Sequence, residues 1–256
     1  MIRRDANGIA YVTSGWPLDP AKSTLIFLHG GGGSHVLWDG QVDALANRAN
    51  AVAVDLPGHG QSKGEGMSTI EDYARAVADF IRTIEAPRPV PCGLSMGGAI
   101  TQQLLLDHQD ACCAGILVGT GARLRVMPFI LKAIQEDFSS YVDSFLVYAA
   151  SEKTDPARLR PLTEATAACS SQVALGDFKA CDAFDVMERL PSIEVPVLVI
   201  TAEEDRLTPT KYGIFLEQKI AKASRAHIQD AGHLVPAEKP EEVNLAIEDF
   251  LDRTGL

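Results

Sequence analysis

The sequence predicts an α/β protein in which a mostly parallel sheet carries helices on both faces. Apolar runs recur at 24–28, 51–54, 115–118 and 195–200, and each is short enough for a single strand. Continuous apolar runs of this length suit parallel strands that are buried on both faces. Segments in which apolar residues recur at helical spacing lie between these runs. Alternation of the two kinds of segment is typical of a doubly wound sheet.

Turn and capping signals define further elements along the chain. Asn7-Gly8 is a turn signal, so a strand is expected over 8–15. Ser68 and Glu71 have the spacing of a capping box, and the apolar residues behind it from Ile70 to Ile84 recur at helical spacing. Pro91 falls where a central strand should run, and its missing N–H leaves the length of that strand open. The other predicted elements are helices over 70–84, 96–108, 210–222 and 240–252 and a strand over 224–229.

The alternation of strands and helices breaks between about residue 121 and residue 190. This stretch is rich in aromatic residues, its apolar spacing is mostly helical, and it contains no repeated strand pattern. It is also too long for a simple loop inside a compact domain. We therefore predict a helical insertion over 121–190 within a core domain made of residues 1–120 and 191–256.

Composition and charge exclude several classes of protein. The 34 acidic and 23 basic residues give a net charge of −11, which repels phosphate backbones and argues against nucleic-acid binding. No apolar run is long enough to span a bilayer, and the first residues lack the apolar stretch of a secretory signal. Five cysteines without framework spacing indicate reduced thiols and a cytoplasmic protein. Because ligand spacing for zinc is absent from the sequence, we expect no metal and no other cofactor.

A serine flanked by glycines carries the strongest chemical signal. The run Gly93-Leu94-Ser95-Met96-Gly97 matches Gly-x-Ser-x-Gly, the nucleophile elbow, and it lies between an apolar stretch and a predicted helix. The two glycines avoid side-chain clashes where the backbones crowd at a sharp turn. The turn lifts the Ser95 hydroxyl above the sheet, and the helix N-terminus leaves amide groups free to meet negative charge.

A serine hydroxyl needs a general base, and that base needs an acid to orient it. His233 follows the predicted strand over 224–229, and Asp205 follows the strand that ends near residue 200. The chain order Ser95, Asp205, His233 is the order expected on such a fold. Glu203 and Glu204 are alternatives to Asp205 for the acid.

The run from His29 to Gly33 follows an earlier strand, and its glycines allow the backbone to approach a ligand. We assign the oxyanion hole to the backbone N–H groups of Gly31 and Met96. His29 itself is expected to be a structural residue that forms hydrogen bonds below this loop. The glycine run is no phosphate loop, because no Gly-Lys-Ser/Thr follows it.

Taken together, these motifs resemble those of the α/β-hydrolase superfamily, and they span nearly the whole chain. The resemblance implies an α/β-hydrolase fold with a mostly parallel eight-stranded sheet flanked by helices. It also implies a helical cap, or lid, after the sixth strand, where residues 121–190 stand. Within the superfamily, the chain is similar to the smaller capped esterases and carbon–carbon bond hydrolases. The matching segments are His29-Gly30, Asp55–Ser62, Gly93–Gly98, Asp205 with Pro209, and Gly232-His233.

These residues predict an enzyme, a serine hydrolase that cleaves a small or medium carboxylic ester through an acyl-enzyme. Cleavage of a carbon–carbon bond in a diketone by the same triad is the nearest alternative, and thioester hydrolysis and cofactor-free peroxidation are also open. A hypothesis of another class is a hydrolase-like protein that only binds a ligand under its cap. The expected partner is a small-molecule substrate, with no membrane partner, and the protein is expected to be a monomer or homodimer.

The pocket is expected to be apolar and built in part from the insertion. The basic residues Arg123, Arg125, Arg158 and Arg160 are solvated charges by default, and one of them could pair with an anionic substrate. The predicted substrate-binding residues are Gly32, Arg123, Phe129, Phe138, Tyr141 and Phe145.

Overall fold

A single twisted sheet organises the molecule. The computed structural model describes residues 1–256, apart from the side chain of residue 146. Within this part of the chain, eight strands form one sheet in the order β1-β2-β4-β3-β5-β6-β7-β8. The β1–β2 and β2–β4 pairs are antiparallel and the remaining described pairs are parallel, which confirms the predicted mostly parallel sheet. The strands are β1 (Ile2–Ala6), β2 (Ile9–Thr13), β3 (Thr24–Leu28), β4 (Asn50–Val54), β5 (Pro89–Leu94), β6 (Gly115–Val118), β7 (Val197–Ala202) and β8 (Ala223–Ile228).

The apolar runs form strands that are buried on both faces. Strands β3 and β4 are buried along their whole length. Leu25 and Phe27 of β3 belong to one hydrophobic cluster, and Ile26 and Leu28 belong to another on the opposite face. Since successive strand residues point to opposite faces, a strand covered on both sides is apolar along most of its length, and here only the first residues, Thr24 of β3 and Asn50 of β4, are polar.

The N-terminal segment forms a hairpin that the sequence predicts only in part. The turn at Asn7-Gly8 has positive φ at both residues and leads into β2, close to the strand expected over 8–15. The preceding strand β1 was not predicted. It lies at the edge of the sheet, most of its residues are exposed, and it carries Arg3 and Arg4. An edge strand with charged side chains lacks the apolar run that marks a buried strand.

Pro91 does not shorten the central strand. Strand β5 runs from Pro89 to Leu94 and pairs with β3, where Pro91 stands opposite Ile26. Its pairing with β6 begins at Cys92, one residue after the proline. The strand therefore continues through Pro91 on the side of β3, and the partner on the other side begins beyond it.

Helices cover both faces of the sheet. Val42 and Ile247 lie in the first hydrophobic cluster, and Tyr73 and Ile100 lie in the second. The helices are α1 (Asp39–Ala44), α2 (Ile70–Thr83), α3 (Met96–Asp107), α4 (Pro128–Glu136), α5 (Phe138–Ala149), α6 (Pro156–Ala167), α7 (Ser171–Ala183), α8 (Thr210–Lys219), α9 (Val235–Glu238) and α10 (Pro240–Thr254).

The capping box was predicted one residue too early. The residue that caps α2 is Thr69, whose hydroxyl accepts the Asp72 N–H at 3.1 Å. The Thr69 hydroxyl in turn donates to the Asp72 carboxylate at 2.8 Å. Ser and Thr are both good N-caps, so two such residues in succession leave the starting residue undecided from sequence alone.

Residues 121–190, the helical insertion, contain α4 to α7. The chain forms an isolated antiparallel bridge between Arg123 and Asp185, near the two ends of this segment. The insertion thus begins directly after β6 and returns to β7, which places its helices near the carboxyl ends of the parallel strands. No helix in the described part of the chain is both long and apolar enough to cross a membrane.

The position of the α2 cap can be tested by two neighbouring substitutions. We expect Thr69→Ala to lower the free energy of unfolding by about 1 kcal/mol, because it leaves the Asp72 N–H without its acceptor. Ser68→Ala is the matched control and should change it by less than about 0.5 kcal/mol. Urea denaturation of the three proteins measures both effects. A larger loss for Ser68→Ala would contradict this assignment.

Candidate active site

Ser95 stands at a sharp turn between β5 and α3. Its backbone has φ of +55° and ψ of −113°, a conformation that residues with side chains rarely adopt. The Ser95 N–H donates to the Val118 carbonyl at 3.0 Å, and its own carbonyl accepts the Thr120 hydroxyl at 2.8 Å. These bonds from the end of β6 hold the turn in its strained shape.

The glycines around Ser95 are required by close backbone contacts. A Cβ on Gly93 would lie 2.0 Å from the Gly97 carbonyl carbon. A Cβ on Gly97 would lie 2.2 Å from the Leu28 carbonyl oxygen at the end of β3. Both distances are far inside van der Waals contact, and in each case the obstacle is backbone. Glycine at positions 93 and 97 is therefore required by the close packing of α3 against the strands.

His29 supports the glycine loop, residues 29–33, from below. The buried imidazole accepts the Leu56 N–H on Nε2 at 3.1 Å, so its Nδ1 carries the proton and donates to the Gly30 carbonyl at 2.8 Å. Burial, together with repulsion from His59, lowers the pKa of His29 to about 4. His29 is thus neutral near pH 7, and its contacts are those of the structural residue that we expected.

His233 and Asp205 form a buried pair. The His233 Nδ1 lies 3.0 Å from Oδ2 and 3.1 Å from Oδ1 of Asp205. Oδ1 of this carboxylate also accepts the Leu207 and Thr208 N–H groups, at 2.9 and 2.8 Å. Burial would raise the pKa of Asp205, but attraction to His233 and these hydrogen bonds outweigh it and lower the pKa to about 2. The carboxylate is therefore ionised near neutral pH and orients the imidazole.

The two alternative acids lie elsewhere. Glu204 accepts the Ser151 hydroxyl at 2.7 Å and pairs with Lys153 at 3.3 Å. Glu203 is exposed and accepts the Asp230 N–H. Among the three acids offered by the sequence, Asp205 is the one that contacts His233.

Ser95 and His233 line the same cavity, together with Gly31 and His29. The hydrogen bonds among the described residues do not join the Ser95 hydroxyl to the His233 imidazole. The structure brings the two side chains to one cavity, with Asp205 behind the imidazole.

The two assigned oxyanion donors are free of other acceptors. Among the described residues, the Gly31 N–H makes no hydrogen bond to protein, whereas the Gly32 and Gly33 N–H groups do. Met96 is the first residue of α3, where a backbone N–H has no intrahelical acceptor. Its side chain is buried in the core, so only its backbone can serve the site.

The cavity is mostly apolar and has a volume of about 130 Å³. Phe145, one of the residues predicted to bind substrate, lines the cavity, and so does Arg125. The sequence did not single out Phe178, Leu162 or Tyr212, since a helical pattern shows which residues are apolar but not which cavity they face. The apolar lining includes Leu37, Leu94, Leu124, Val126, Ile130, Phe145, Leu162, Ala165, Phe178, Cys181, Leu207 and Leu234.

The other predicted substrate-binding residues lie outside the described lining. Phe129 is 66 % exposed at the start of α4, and Arg123 pairs with Asp185 at the surface. Tyr141 stacks between Phe138 and Phe145, with ring centroids 6.0 and 5.1 Å apart, and so forms a second layer behind the cavity wall. Gly32 turns its N–H away from the cavity to the carboxylate of Asp177 at 2.8 Å.

A surface cluster of acids has the spacing of metal ligands. Carboxylate oxygens of Glu203, Glu204 and Asp230 lie within 4.8 Å of one another. The Lys153 ammonium contacts both Glu204 and Asp230 and supplies a positive charge there. Sequence reasoning missed this cluster because Asp230 is remote from the other two acids in the chain.

Comparisons with known proteins show the family to which this chain belongs. A family model described as the alpha/beta hydrolase family matches residues 25–246, which include the glycine loop, Ser95, Asp205 and His233. The chain belongs to this family. The eight-stranded, mostly parallel sheet of this chain is an alpha/beta hydrolase fold.

Individual relatives are esterases and lactonases. The chain is 25% identical over 241 residues to pimeloyl-acyl-carrier-protein methyl ester esterase of Nitrosomonas europaea, covering 85% of this chain and 91% of that protein. The crystal structure of the enol-lactonase from Burkholderia xenovorans LB400 matches 98% of this chain and 100% of its own, with 25% identity and a TM-score of 0.89. The structure of a thermophilic esterase matches 99% of this chain and 98% of its own, with 32% identity and a TM-score of 0.82.

The low pKa of Asp205 predicts how acid affects stability. A carboxyl whose folded pKa lies below its unfolded value stabilises the fold above that value and ceases to do so as pH falls through the folded pKa. The pKa falls from 3.8 to about 2, so about 2 kcal/mol of stabilisation should be lost between about pH 4 and pH 2. Asp205→Asn should lack this loss.

Urea denaturation at a series of acidic pH values measures the difference between the two proteins. Glu203→Gln, which changes an exposed neighbour, is the control and should follow the wild type. A difference between wild type and Asp205→Asn that stays constant over this pH range would contradict the assigned interaction.

Proposed function

We propose that this protein is a serine hydrolase that cleaves a small carboxylic ester through an acyl-enzyme. The observation that carries the proposal is the buried Asp205–His233 pair beside the cavity that also holds Ser95. A strained turn that exposes a serine beside an oriented imidazole is the arrangement that activates a hydroxyl. Membership of the alpha/beta hydrolase family supports the same reaction class.

The reaction begins at the Ser95 hydroxyl. Nε2 of His233 takes the hydroxyl proton while Oγ attacks the ester carbonyl. The carbonyl oxygen gains negative charge and receives hydrogen bonds from the Gly31 and Met96 N–H groups. His233 then gives its proton to the departing alcohol, and the acyl group stays on Ser95.

Hydrolysis of the acyl-enzyme repeats the sequence with water. His233 takes a proton from a water molecule, which attacks the acyl carbonyl, and returns the proton to Ser95 as the carboxylic acid leaves. In both halves Asp205 holds the imidazole in one orientation and stabilises its cation. The contact that supports this role is the one between Nδ1 of His233 and Oδ2 of Asp205, which leaves Nε2 for the Ser95 hydroxyl.

The cavity supports a small, largely apolar substrate. A cavity of about 150 Å³ in another protein accommodates benzene, and the one beside Ser95 has about 130 Å³. We propose that the helical insertion acts as a cap over the core domain and supplies one wall through Phe145 and Phe178. The likeness to an enol-lactonase structure makes a cyclic ester a second candidate substrate for the same chemistry.

A substrate screen with matched serine variants tests the proposal. Wild-type protein should hydrolyse p-nitrophenyl acetate and react with a fluorophosphonate, which phosphonylates activated serines. Ser95→Ala should lose both, with turnover reduced by at least about 10³-fold. Ser34→Ala is the control, because Ser34 lines the same cavity but its hydroxyl accepts the Val36 N–H; its labelling should persist.

The other outcomes separate the alternatives. The panel includes open-chain esters, lactones, an acyl thioester and a ring-cleavage dione, and hydrogen peroxide tests peroxidation. Cleavage of the dione without any ester would favour the carbon–carbon bond hydrolase. Folded wild-type protein that neither labels nor turns over any member would contradict the hydrolase proposal and favour a ligand-binding protein.

A further inference from the structure

Asp177 of α7 contacts the glycine loop from within the helical insertion. Its carboxylate is fully buried, and Oδ2 accepts the Gly32 N–H at 2.8 Å. Oδ2 also lies 2.7 Å from Nε2 of His59, and Oδ1 accepts the Tyr73 hydroxyl at 2.6 Å. One side chain of the insertion therefore joins the loop after β3, the loop after β4 and helix α2.

The charge of Asp177 is balanced by His59. Burial would lower the pKa of His59, but the hydrogen bond and attraction to Asp177 outweigh it and raise the pKa. Nδ1 of the same ring lies 3.1 Å from the Pro57 carbonyl oxygen, which can only accept. Both ring nitrogens therefore donate, and an imidazolium faces the carboxylate. A buried carboxylate with a cation and neutral donors around it has its hydrogen-bonding capacity satisfied.

The hydrogen bond from the Gly32 N–H to Asp177 lies one residue after Gly31, the assigned oxyanion donor. Gly32 has φ of +68°, so the loop turns sharply after Gly31. A Cβ on Gly31 would lie 3.4 Å from Cβ of Asp177 and 3.4 Å from a ring carbon of Phe178, which shows that α7 packs against the loop here. The Gly32 N–H is held by Asp177, whereas the Gly31 N–H is left for the cavity.

We propose that Asp177 is a positioning residue for the oxyanion hole: by accepting the Gly32 N–H, it holds the glycine loop so that the Gly31 N–H meets the substrate carbonyl oxygen. The inference rests on the proposed function, because an oxyanion forms only if Ser95 attacks a carbonyl. It makes α7 a part of the reaction site and not only a cover above it. The role depends on the acceptor at this position and not on its charge.

A series at residue 177 tests the acceptor. Asp177→Ala removes it, and Asp177→Ser keeps a polar group whose oxygen ends one bond short of the Gly32 N–H. Asp177→Asn keeps a carbonyl oxygen in the place of Oδ2. We expect the Ala and Ser variants to lower kcat for p-nitrophenyl acetate by about 10- to 100-fold, with KM within about threefold. Asn should recover kcat to within about threefold of the wild type.

A transition-state analogue separates positioning from a purely structural role. Phenylboronic acid forms a tetrahedral anionic adduct with an activated serine, and its affinity should fall in the Ala and Ser variants in proportion to kcat/KM. The affinity for the neutral alcohol benzyl alcohol should stay the same. Ser and Ala are independent tests, so failure of one to fold leaves the other decisive.

The matched control lies on the same helix. Asp182 of α7 also accepts a backbone N–H from another segment, that of Val126 at 2.9 Å, but it does not contact the glycine loop. Asp182→Ala should keep kcat within about twofold of the wild type. A loss of kcat equal to that of Asp177→Ala would contradict the proposal, because any lost anchor of α7 would then have the same effect.

The remaining outcomes are distinct. Wild-type protein that labels at Ser95, together with folded Asp177→Ala of unchanged kcat, overturns this inference alone. An Asp177→Asn variant as slow as Asp177→Ala also overturns it, because the effect would then belong to the charge pair with His59. A rise in KM at constant kcat in the Ala and Ser variants would overturn it as well. Wild-type protein without fluorophosphonate labelling or ester turnover would remove the proposed function, and this inference with it.

Discussion

The site depends on one steric constraint, the absence of side chains where helix α3 crosses the ends of the central strands. Any Cβ on Gly97 would meet the Leu28 carbonyl, and one on Gly98 would lie 2.5 Å from Thr120 Cγ2. Because the helix approaches this closely, the chain must reverse within a single residue, and Ser95 takes a backbone conformation with positive φ. Strain of this kind persists only where the surroundings impose it. The position of the Ser95 hydroxyl is thus a consequence of backbone packing.

Sheet topology explains how distant residues reach that hydroxyl. Strands β3, β5, β7 and β8 are parallel, so the loops that follow them open at one edge of the sheet. These loops carry the glycine run, Ser95, Asp205 and His233. The helical insertion then contacts two of them. Its α7 holds the Gly32 N–H through Asp177, and the carbonyl of Ala149 at the end of α5 accepts the His233 N–H at 2.7 Å. The insertion and the loops that carry the candidate site residues are therefore joined by hydrogen bonds.

Sequence reasoning was most successful where a residue type has one physical use. Apolar runs marked the buried strands, and glycines at required spacing marked the elbow. It failed where several residues satisfy the same rule, as with Ser68 and Thr69 at the start of α2, and where exposure hides a strand, as with β1. It could not find the contact between Asp177 and His59, which are 118 residues apart. A helical pattern shows that a face is buried, but not that a carboxylate on it meets an imidazolium and a glycine loop.

The central claim is that Ser95, His233 and Asp205 act as one unit on an ester carbonyl. The most direct test compares kcat for p-nitrophenyl acetate in Ser95→Ala, His233→Ala and the double variant. Residues that act as a unit have strongly non-additive effects. Each single substitution should therefore remove nearly all of the acceleration that depends on the hydroxyl, and the double variant should be no slower than either. Losses that multiply in the double variant would show that the two side chains work independently, which would contradict the account.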